Sequence, residues 1–108
     1  MSNHHHLTRV VEEFLALDKG MTLFQMRAFL LVATNEGQTQ RWLEEQLGTS
    51  NATASRVIAK WLEIERPGKP GLGLVRSEVD PHDRRFRVVT LTPKGRSFLK
   101  TLQEKLGG

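Results

Sequence analysis

Apolar residues near the start of the chain recur at helical spacing. Their intervals predict an amphipathic helix over residues 7 to about 18, with an apolar face formed by Leu7, Val10, Val11, Phe14 and Leu15. A second helix is predicted over residues 23–35, because Thr22 and Gln25 are spaced as a capping box. Nine of its thirteen residues are apolar, so we expect this helix to be buried on most sides or to face a partner chain.

Two shorter helical patterns follow, with a tight turn between them. Thr39 is a suitable N-cap for a third helix, which Gly48 should end in the left-handed conformation. Ser50 should cap a fourth helix that continues to about Glu65 and buries Trp61 on its apolar face. Two helices joined by about three residues predict a helix-turn-helix.

The pattern changes at residues 66–73, which hold three Gly and two Pro and predict a loop. Two strand-like runs, residues 74–79 and 85–91, should pair antiparallel across a polar connection. Thr92 and Pro93 predict the start of a short last helix. The predicted fold is α+β and mainly α, in the order ααααββα, with one domain over residues 7–106. Residues 1–6, which include three consecutive histidines, are predicted to be disordered and are assigned no function.

The composition limits the classes of protein to which the chain can belong. A chain of 108 residues with 38% apolar residues has room for one small domain with a modest core. The absence of cysteine excludes disulfides, thiolate metal sites and cysteine nucleophiles. There is no apolar run of ~18 residues and no apolar stretch of a signal peptide at the start. We therefore expect a soluble, cytoplasmic protein without a membrane partner.

The charge is distributed unevenly along the chain. Residues 1–54 hold four basic and six acidic side chains, a net charge of −2, whereas residues 55–108 hold twelve basic and six acidic, a net charge of +6. Between Asp83 and Glu104 there are six basic residues and no acidic one. This excess is typical of a surface that meets phosphate, although a solubilising basic face has the same composition.

Catalytic and metal-binding patterns are absent from the sequence. His82 is the only histidine outside the N-terminal run and stands beside Asp83, but no nucleophile motif accompanies the pair. We expect neither an enzyme, nor a cofactor, nor a metal site.

Two motifs, in order over residues 39–99, resemble the MarR-type winged-helix transcriptional regulators. The first is the helix-turn-helix signature, on Leu43, Leu47, Gly48, Ser50 and the run Thr53, Ala54, Ser55 and Arg56. The second is the wing hairpin and the helix start after it, on residues 73–76, Asp80, residues 83–85, Val89, Leu91, Thr92 and Gly95. The chain departs from the family pattern at Glu44, where a small residue is usual, at Thr49, where an aliphatic residue is usual, in its longer loop before the wing and in its short last helix.

The resemblance implies a sequence-specific double-stranded DNA-binding regulator, a homodimer and most simply a repressor. The recognition helix would enter the major groove and present Ser50, Asn51, Thr53, Ser55, Arg56 and Lys60. Of these, Arg56 and Lys60 would lie on a cationic face without compensating acidic residues. The wing would bring Arg84 at its tip into the minor groove, with Arg85, at the start of a strand, and Arg87 beside it. The first helix of the helix-turn-helix would contribute Thr39 and Gln40 to backbone contacts.

Other roles remain open for the same residues. Because Ser50 caps the helix in any case, Asn51, Thr53 and Ser55 can also be explained by capping and solvent exposure at a helix start, and Asp83 can pair with a neighbouring arginine to shape the hairpin. The alternative function is a winged-helix module for protein interaction or for docking a replication or partition assembly to DNA. The sequence identifies no effector ligand.

Overall fold

The computed structural model describes residues 4–107. Within this range the chain forms five helices and two antiparallel hairpins. The helices are α1 (His4–Leu17), α2 (Leu23–Thr34), α3 (Gln40–Leu47), α4 (Asn51–Ala59) and α5 (Pro93–Lys105). The strands are β1 (Ile64–Arg66), paired with β2 (Lys69–Pro70), and β3 (Val75–Val79), paired with β4 (Arg87–Leu91). Among the described residues no helix is both long and apolar enough to cross a membrane.

The predicted fold class is confirmed, and the helix starts are capped as predicted. Thr22 and Gln25 exchange hydrogen bonds between side chain and backbone, which forms the capping box of α2. The hydroxyls of Thr39, Ser50 and Thr92 each accept an N–H from the first turn of α3, α4 and α5. These bonds satisfy backbone donors that have no partner within a helix.

The first helix begins earlier, and the last helix ends earlier, than the predicted domain boundaries. Helix α1 begins at His4, so the segment predicted to be disordered is helical at residues 4–6, and residues 1–3 lie outside the described residues. The last helix ends at Lys105, one residue before the predicted domain boundary. The hairpin β3–β4 is the wing, with residues 80–86 at its tip.

The prediction that α4 continues to Glu65 is wrong, because α4 ends at Ala59. The N–H groups of Trp61 and Leu62 donate to carbonyls three residues earlier, which tightens the last turn. The Trp61 carbonyl accepts the N–H groups of Leu74 and Val75 at 2.9 and 3.0 Å. Because the start of the wing takes this carbonyl, the helix cannot use it to continue.

Residues 66–73 are more ordered than the predicted loop. Strands β1 and β2 pair across a turn at Pro67 and Gly68, where Gly68 has a φ of 79°. At the base of this hairpin, a Cβ on Gly71 would lie 1.9 Å from the Leu62 carbonyl oxygen, so only glycine fits this approach. The extra hairpin is therefore attached firmly to the end of the helix-turn-helix.

Four aromatic rings join α1, α2, α5 and the turn after α4 in the core. Phe14, Phe29, Trp61 and Phe98 pack with ring centroids 5.1–6.1 Å apart, mostly edge to face. The Trp61 indole N–H donates to the Gln25 carbonyl at 2.7 Å. The turn that follows α4 is thus held directly against the start of α2.

The wing is attached to the segment before α3 by backbone hydrogen bonds. Thr39 forms a β-bridge with Val88, and the Val89 N–H donates to the Gln38 carbonyl at 3.0 Å. Glu36 accepts the Leu91 N–H at 2.8 Å and pairs with Arg96 at 2.8 Å. Burial raises the pKa of Glu36, but these hydrogen bonds and the Arg96 charge outweigh burial and hold the pKa below its ordinary value.

Candidate nucleic-acid interface

Helix α4 presents a polar face to solvent and an apolar face to the core. Ala54, Val57 and Ile58 are buried. The exposed residues on the opposite side are Asn51, Ala52, Ser55 and Arg56. Asn51 and Ala52 are followed four residues later by Ser55 and Arg56, so the two pairs lie on adjacent turns of one helix face. A surface that reads bases needs this arrangement.

Ser50 and Thr53 take part in the helix cap. The Ser50 hydroxyl accepts the Thr53 N–H at 3.2 Å and donates to the Thr53 hydroxyl at 3.0 Å. Thr53 is half-buried and lies beside a groove between α4 and the start of α2. The predicted cap by Ser50 is therefore confirmed, and Thr53 lies at the edge of the exposed face.

The expectation of a cationic face without compensating charge is wrong at Lys60. Its ammonium forms an ion pair with Asp18, and only 20% of the Lys60 side chain is exposed. The hydrogen bond from Lys60, followed by one from the Gly20 N–H, holds the pKa of Asp18 below its ordinary value. Within residues 4–107 the exposed Arg56 side chain has no hydrogen-bond or ionic partner, so of the two cations it is the one available to phosphate.

The two arginines at the wing tip differ in their contacts. Arg85 donates to both carboxylate oxygens of Asp83, from Nε at 3.0 Å and from Nη2 at 2.8 Å. This hydrogen bonding lowers the pKa of Asp83 and raises that of Arg85. The Arg85 N–H also donates to Asp83, which closes a turn and delays the start of β4 from the predicted residue 85 to Arg87. In the described part of the chain, Arg84 is exposed and its side chain makes neither an ion pair nor a hydrogen bond.

The start of α3 lies next to the wing. Thr39 caps α3 by accepting the Trp42 N–H at 3.0 Å. Gln40 accepts a hydrogen bond from Ser77 of β3 at 2.9 Å, and Arg87 donates to the same serine hydroxyl at 3.0 Å. The groove between α3 and the wing tip is lined by residues from two of the predicted contact groups. Thr39 and Gln40 come from the first helix of the helix-turn-helix, and Arg85 and Arg87 come from the wing.

Three residues of this surface were not predicted from the sequence. Ala52 is exposed on α4, four residues before Arg56, and this helical spacing is the signal that could have identified it. Arg41 lines the groove between α3 and the wing tip. Ser77 follows Val75 by two residues in β3, and a polar residue at this alternating position was the available signal.

Acidic, histidine and cysteine side chains do not gather into groups of three or more that could hold a metal ion anywhere in residues 4–107. The functional side chains of the surface are amides, hydroxyls and guanidinium groups. Such groups bind phosphate oxygens and the hydrogen-bonding edges of bases.

Comparison with solved structures identifies the fold. No protein-family model matches the sequence, and no curated protein matches it either. A MarR transcriptional regulator from Methanosarcina mazei Go1 superposes with a TM-score of 0.66 at 21% identity, over 91% of this chain and 63% of that protein. MepR of S. aureus in complex with DNA superposes with a TM-score of 0.70 at 20% identity, over 96% of this chain and 78% of MepR. CouR, a transcriptional repressor bound to a 23-mer DNA duplex, superposes with a TM-score of 0.56 at 24% identity, over 94% of this chain and 67% of CouR.

The chain is shorter than these regulators and spans less than two thirds of the Methanosarcina protein. The superposition nevertheless covers more than 90% of the chain. The resemblance predicted from the two motifs is therefore confirmed in three dimensions, and the chain has the fold of the MarR-type winged-helix transcriptional regulators.

Proposed function

We propose that the chain is a sequence-specific double-stranded DNA-binding transcriptional regulator, and most simply a repressor. The observation that carries the proposal is the exposed polar face of α4, on which Asn51, Ser55 and Arg56 lie together. An amide, a hydroxyl and a guanidinium on one helix face match the donors and acceptors of the major groove. Two regulators with this fold, MepR and CouR, are described as complexes with DNA, which supports the same partner here.

In this proposal α4 lies in the major groove and Arg84 enters the adjacent minor groove. A narrowed minor groove concentrates negative potential and attracts an arginine that has no competing partner. Arg85 is held by Asp83 and keeps the wing tip in shape. The start of α3, at Thr39 and Gln40, meets the DNA backbone, and the protein acts in the cytoplasm.

The function is tested by selecting duplexes from a random library on the purified protein and sequencing those retained. The best duplex, called the operator below, is expected to bind at least 100-fold more tightly than random DNA at the same salt concentration, within the range of specific DNA-binding proteins. Equal affinity for the operator and for random DNA would refute a sequence-specific regulator.

Replacing Arg84 with alanine is expected to weaken operator binding and to reduce the slope of log affinity against log salt by about one unit. The reason is the loss of one cation that displaces a counterion from the DNA. The measurement is a salt titration of binding, with Lys100→Ala on the exposed side of α5 as a control of equal charge change. An unchanged slope for Arg84→Ala would show that the wing tip does not touch DNA.

We further propose that the regulator is a homodimer. Apolar side chains remain exposed at intervals of four residues on α1, where Leu7, Val11 and Leu15 are 60%, 40% and 39% exposed. On α2, Leu23 and Leu30 are 80% and 41% exposed, in agreement with the expectation that this helix meets a partner. A two-fold axis would place two copies of α4 on half-sites about 10 bp apart.

The dimer is tested by analytical ultracentrifugation at micromolar concentration, where we expect twice the mass of the chain. Replacing Val11 with glutamate should shift the mass toward the monomer, whereas Glu12→Gln on the same helix should leave it unchanged. A monomer mass for the unmodified protein would contradict the proposal.

The exposed apolar residues on α1 and α2 also favour a second candidate function, a winged-helix module that docks to another protein of a DNA-bound assembly. The DNA selection separates the two candidates. An interaction module would bind all duplexes weakly and equally, through the basic second half of the chain.

A further inference from the structure

Hydrogen bonds connect the wing to α3 through Ser77. Arg87 donates from Nε to the Ser77 hydroxyl at 3.0 Å and from Nη2 to the Ser77 carbonyl at 2.6 Å. The Ser77 hydroxyl donates to Gln40 Oε1 at 2.9 Å. Gln40 Nε2 in turn donates to Glu44 Oε2 at 3.4 Å, a long bond one turn further along α3. A continuous series of hydrogen bonds therefore extends from the wing to the middle of α3.

All the hydrogen bonds in this series point the same way, from Arg87 toward Glu44. Arg87, a cation, only donates, and the Glu44 carboxylate only accepts. Between them, Ser77 and Gln40 each accept from one side and donate to the other. Hydrogen bonds aligned in this way polarise one another, and opposite charges at the two ends strengthen the effect.

The position of Ser77 in the wing gives these bonds a mechanical role. Strand β4 is held to the start of α3 by the Thr39–Val88 bridge, and β3 lies on the other side of β4. The Ser77 hydroxyl ties this farther strand to α3 as well. Ser77 and Gln40 are half-buried, so water competes for their hydrogen bonds less than it does at the exposed wing tip.

We propose that Ser77 is a positioning residue of the DNA-binding surface, one that orients Arg87 and Gln40 and holds the wing at a set angle to the helix-turn-helix. The inference rests on the proposed function, because the angle matters when the wing and α4 meet the same duplex. A wing held in place before binding loses less conformational entropy on contact with DNA.

The proposal also accounts for Glu44. This residue stands where the resembling motifs usually carry a small residue, and it is half-buried and lines the groove between α3 and the wing. Its carboxylate is the final acceptor of the hydrogen-bond chain. The carboxylate of Glu44 thus helps to orient the Gln40 amide whose oxygen accepts the hydrogen bond from Ser77.

The test replaces Ser77 with alanine, which removes the hydroxyl, and with threonine, which keeps a hydroxyl and suits a strand. Ser77→Ala is expected to weaken operator binding roughly three- to tenfold, the range for one lost hydrogen bond, and Ser77→Thr to restore most of it. Ser97→Ala, at an exposed serine of α5, is the matched control and should bind as the unmodified protein does.

A second readout needs no DNA. In NMR spectra of the free protein, the Arg87 Nε–H should exchange with water more slowly than that of Arg84, which has no partner in residues 4–107. Ser77→Ala should accelerate exchange of the Arg87 Nε–H, because this group loses its acceptor while the bond from Nη2 to the residue 77 carbonyl stays, and Ser77→Thr should slow it again. A general loss of stability of the domain would not selectively accelerate exchange at the Arg87 Nε–H.

The outcomes separate the inference from the proposed function. If Ser77→Ala accelerates Arg87 exchange but leaves operator affinity unchanged, or changes neither, the positioning role is refuted while the regulator stands. If the unmodified protein binds no duplex selectively, the proposed function fails and the positioning role with it, although the exchange rate still reports the hydrogen bond. Loss of affinity with faster exchange, both reversed by Ser77→Thr, supports the inference.

Discussion

Replacing Trp61 with alanine is expected to destabilise the domain by about 3–5 kcal/mol, the cost of emptying a large aromatic site in a packed core. Trp61 is 1% exposed and packs its ring against Phe14 and Phe29, with centroid distances of 6.1 and 5.1 Å. The substitution also removes the indole N–H that donates to the Gln25 carbonyl. Because small domains are stable by only about 5–15 kcal/mol, this variant should unfold at much lower denaturant concentration.

The measurement is urea denaturation followed by circular dichroism, with fluorescence of the remaining Trp42 as a second probe. Trp61→Phe is the matched variant: it keeps a ring but loses the indole N–H, and should cost about 1–3 kcal/mol. A loss below 1 kcal/mol for Trp61→Ala would contradict the role of this ring as the joint between α2 and the turn that follows α4.

Replacing Asn51 with alanine is expected to reduce discrimination between the operator and random DNA by about 1–3 kcal/mol. Asn51 is exposed at the first position of α4, and its amide offers a donor and an acceptor to one base edge. Ser55→Ala, on the next turn, should give a loss at the lower end of this range, because a hydroxyl makes a single contact. Non-specific affinity, which depends on phosphate contacts, should change little.

The experiment is a competition assay of operator against random duplex at one salt concentration, with helicity checked by circular dichroism. Thr53→Ala serves as a comparison at the edge of the face, where the hydroxyl bonds to Ser50. Its effect should fall mainly on stability, by the amount of a weakened cap. Should Asn51→Ala and Ser55→Ala both keep the original ratio, α4 is not the element that reads bases, and the interaction-module function is favoured.

Local signals in the sequence determined the helix starts. Thr22, Thr39, Ser50 and Thr92 were identified as caps because a side-chain oxygen placed before a helical run satisfies N–H groups a few residues away. The left-handed Gly48 and the pairing of the two wing strands also depend on neighbours close in sequence. Such features are set by short-range chemistry and carry over directly to the structure.

Long-range contacts determined the end of α4 and the charge of its outer face. Helical periodicity alone continues past Ala59, but the Trp61 carbonyl bonds to the start of the wing. Likewise, Lys60 looks like an available cation until the fold brings Asp18 to it from 42 positions earlier in the chain. Neither partner can be recognised from local sequence, because each contact exists only after the core has formed.

The sequence by itself thus determined the element types, the caps, the helix-turn-helix and wing motifs, and the basic second half of the chain. The tertiary structure alone decided that Lys60 is neutralised, because it brings Asp18 to this side chain. The pair of Arg85 with Asp83 is local and could be anticipated from the sequence, which left open which neighbouring arginine Asp83 holds. Arg56 and Arg84 are without partners among residues 4–107. The physical reason is that electrostatic and hydrogen-bond partners are chosen by distance in space, so whether a charged side chain keeps its charge uncompensated follows from packing rather than from its place in the chain.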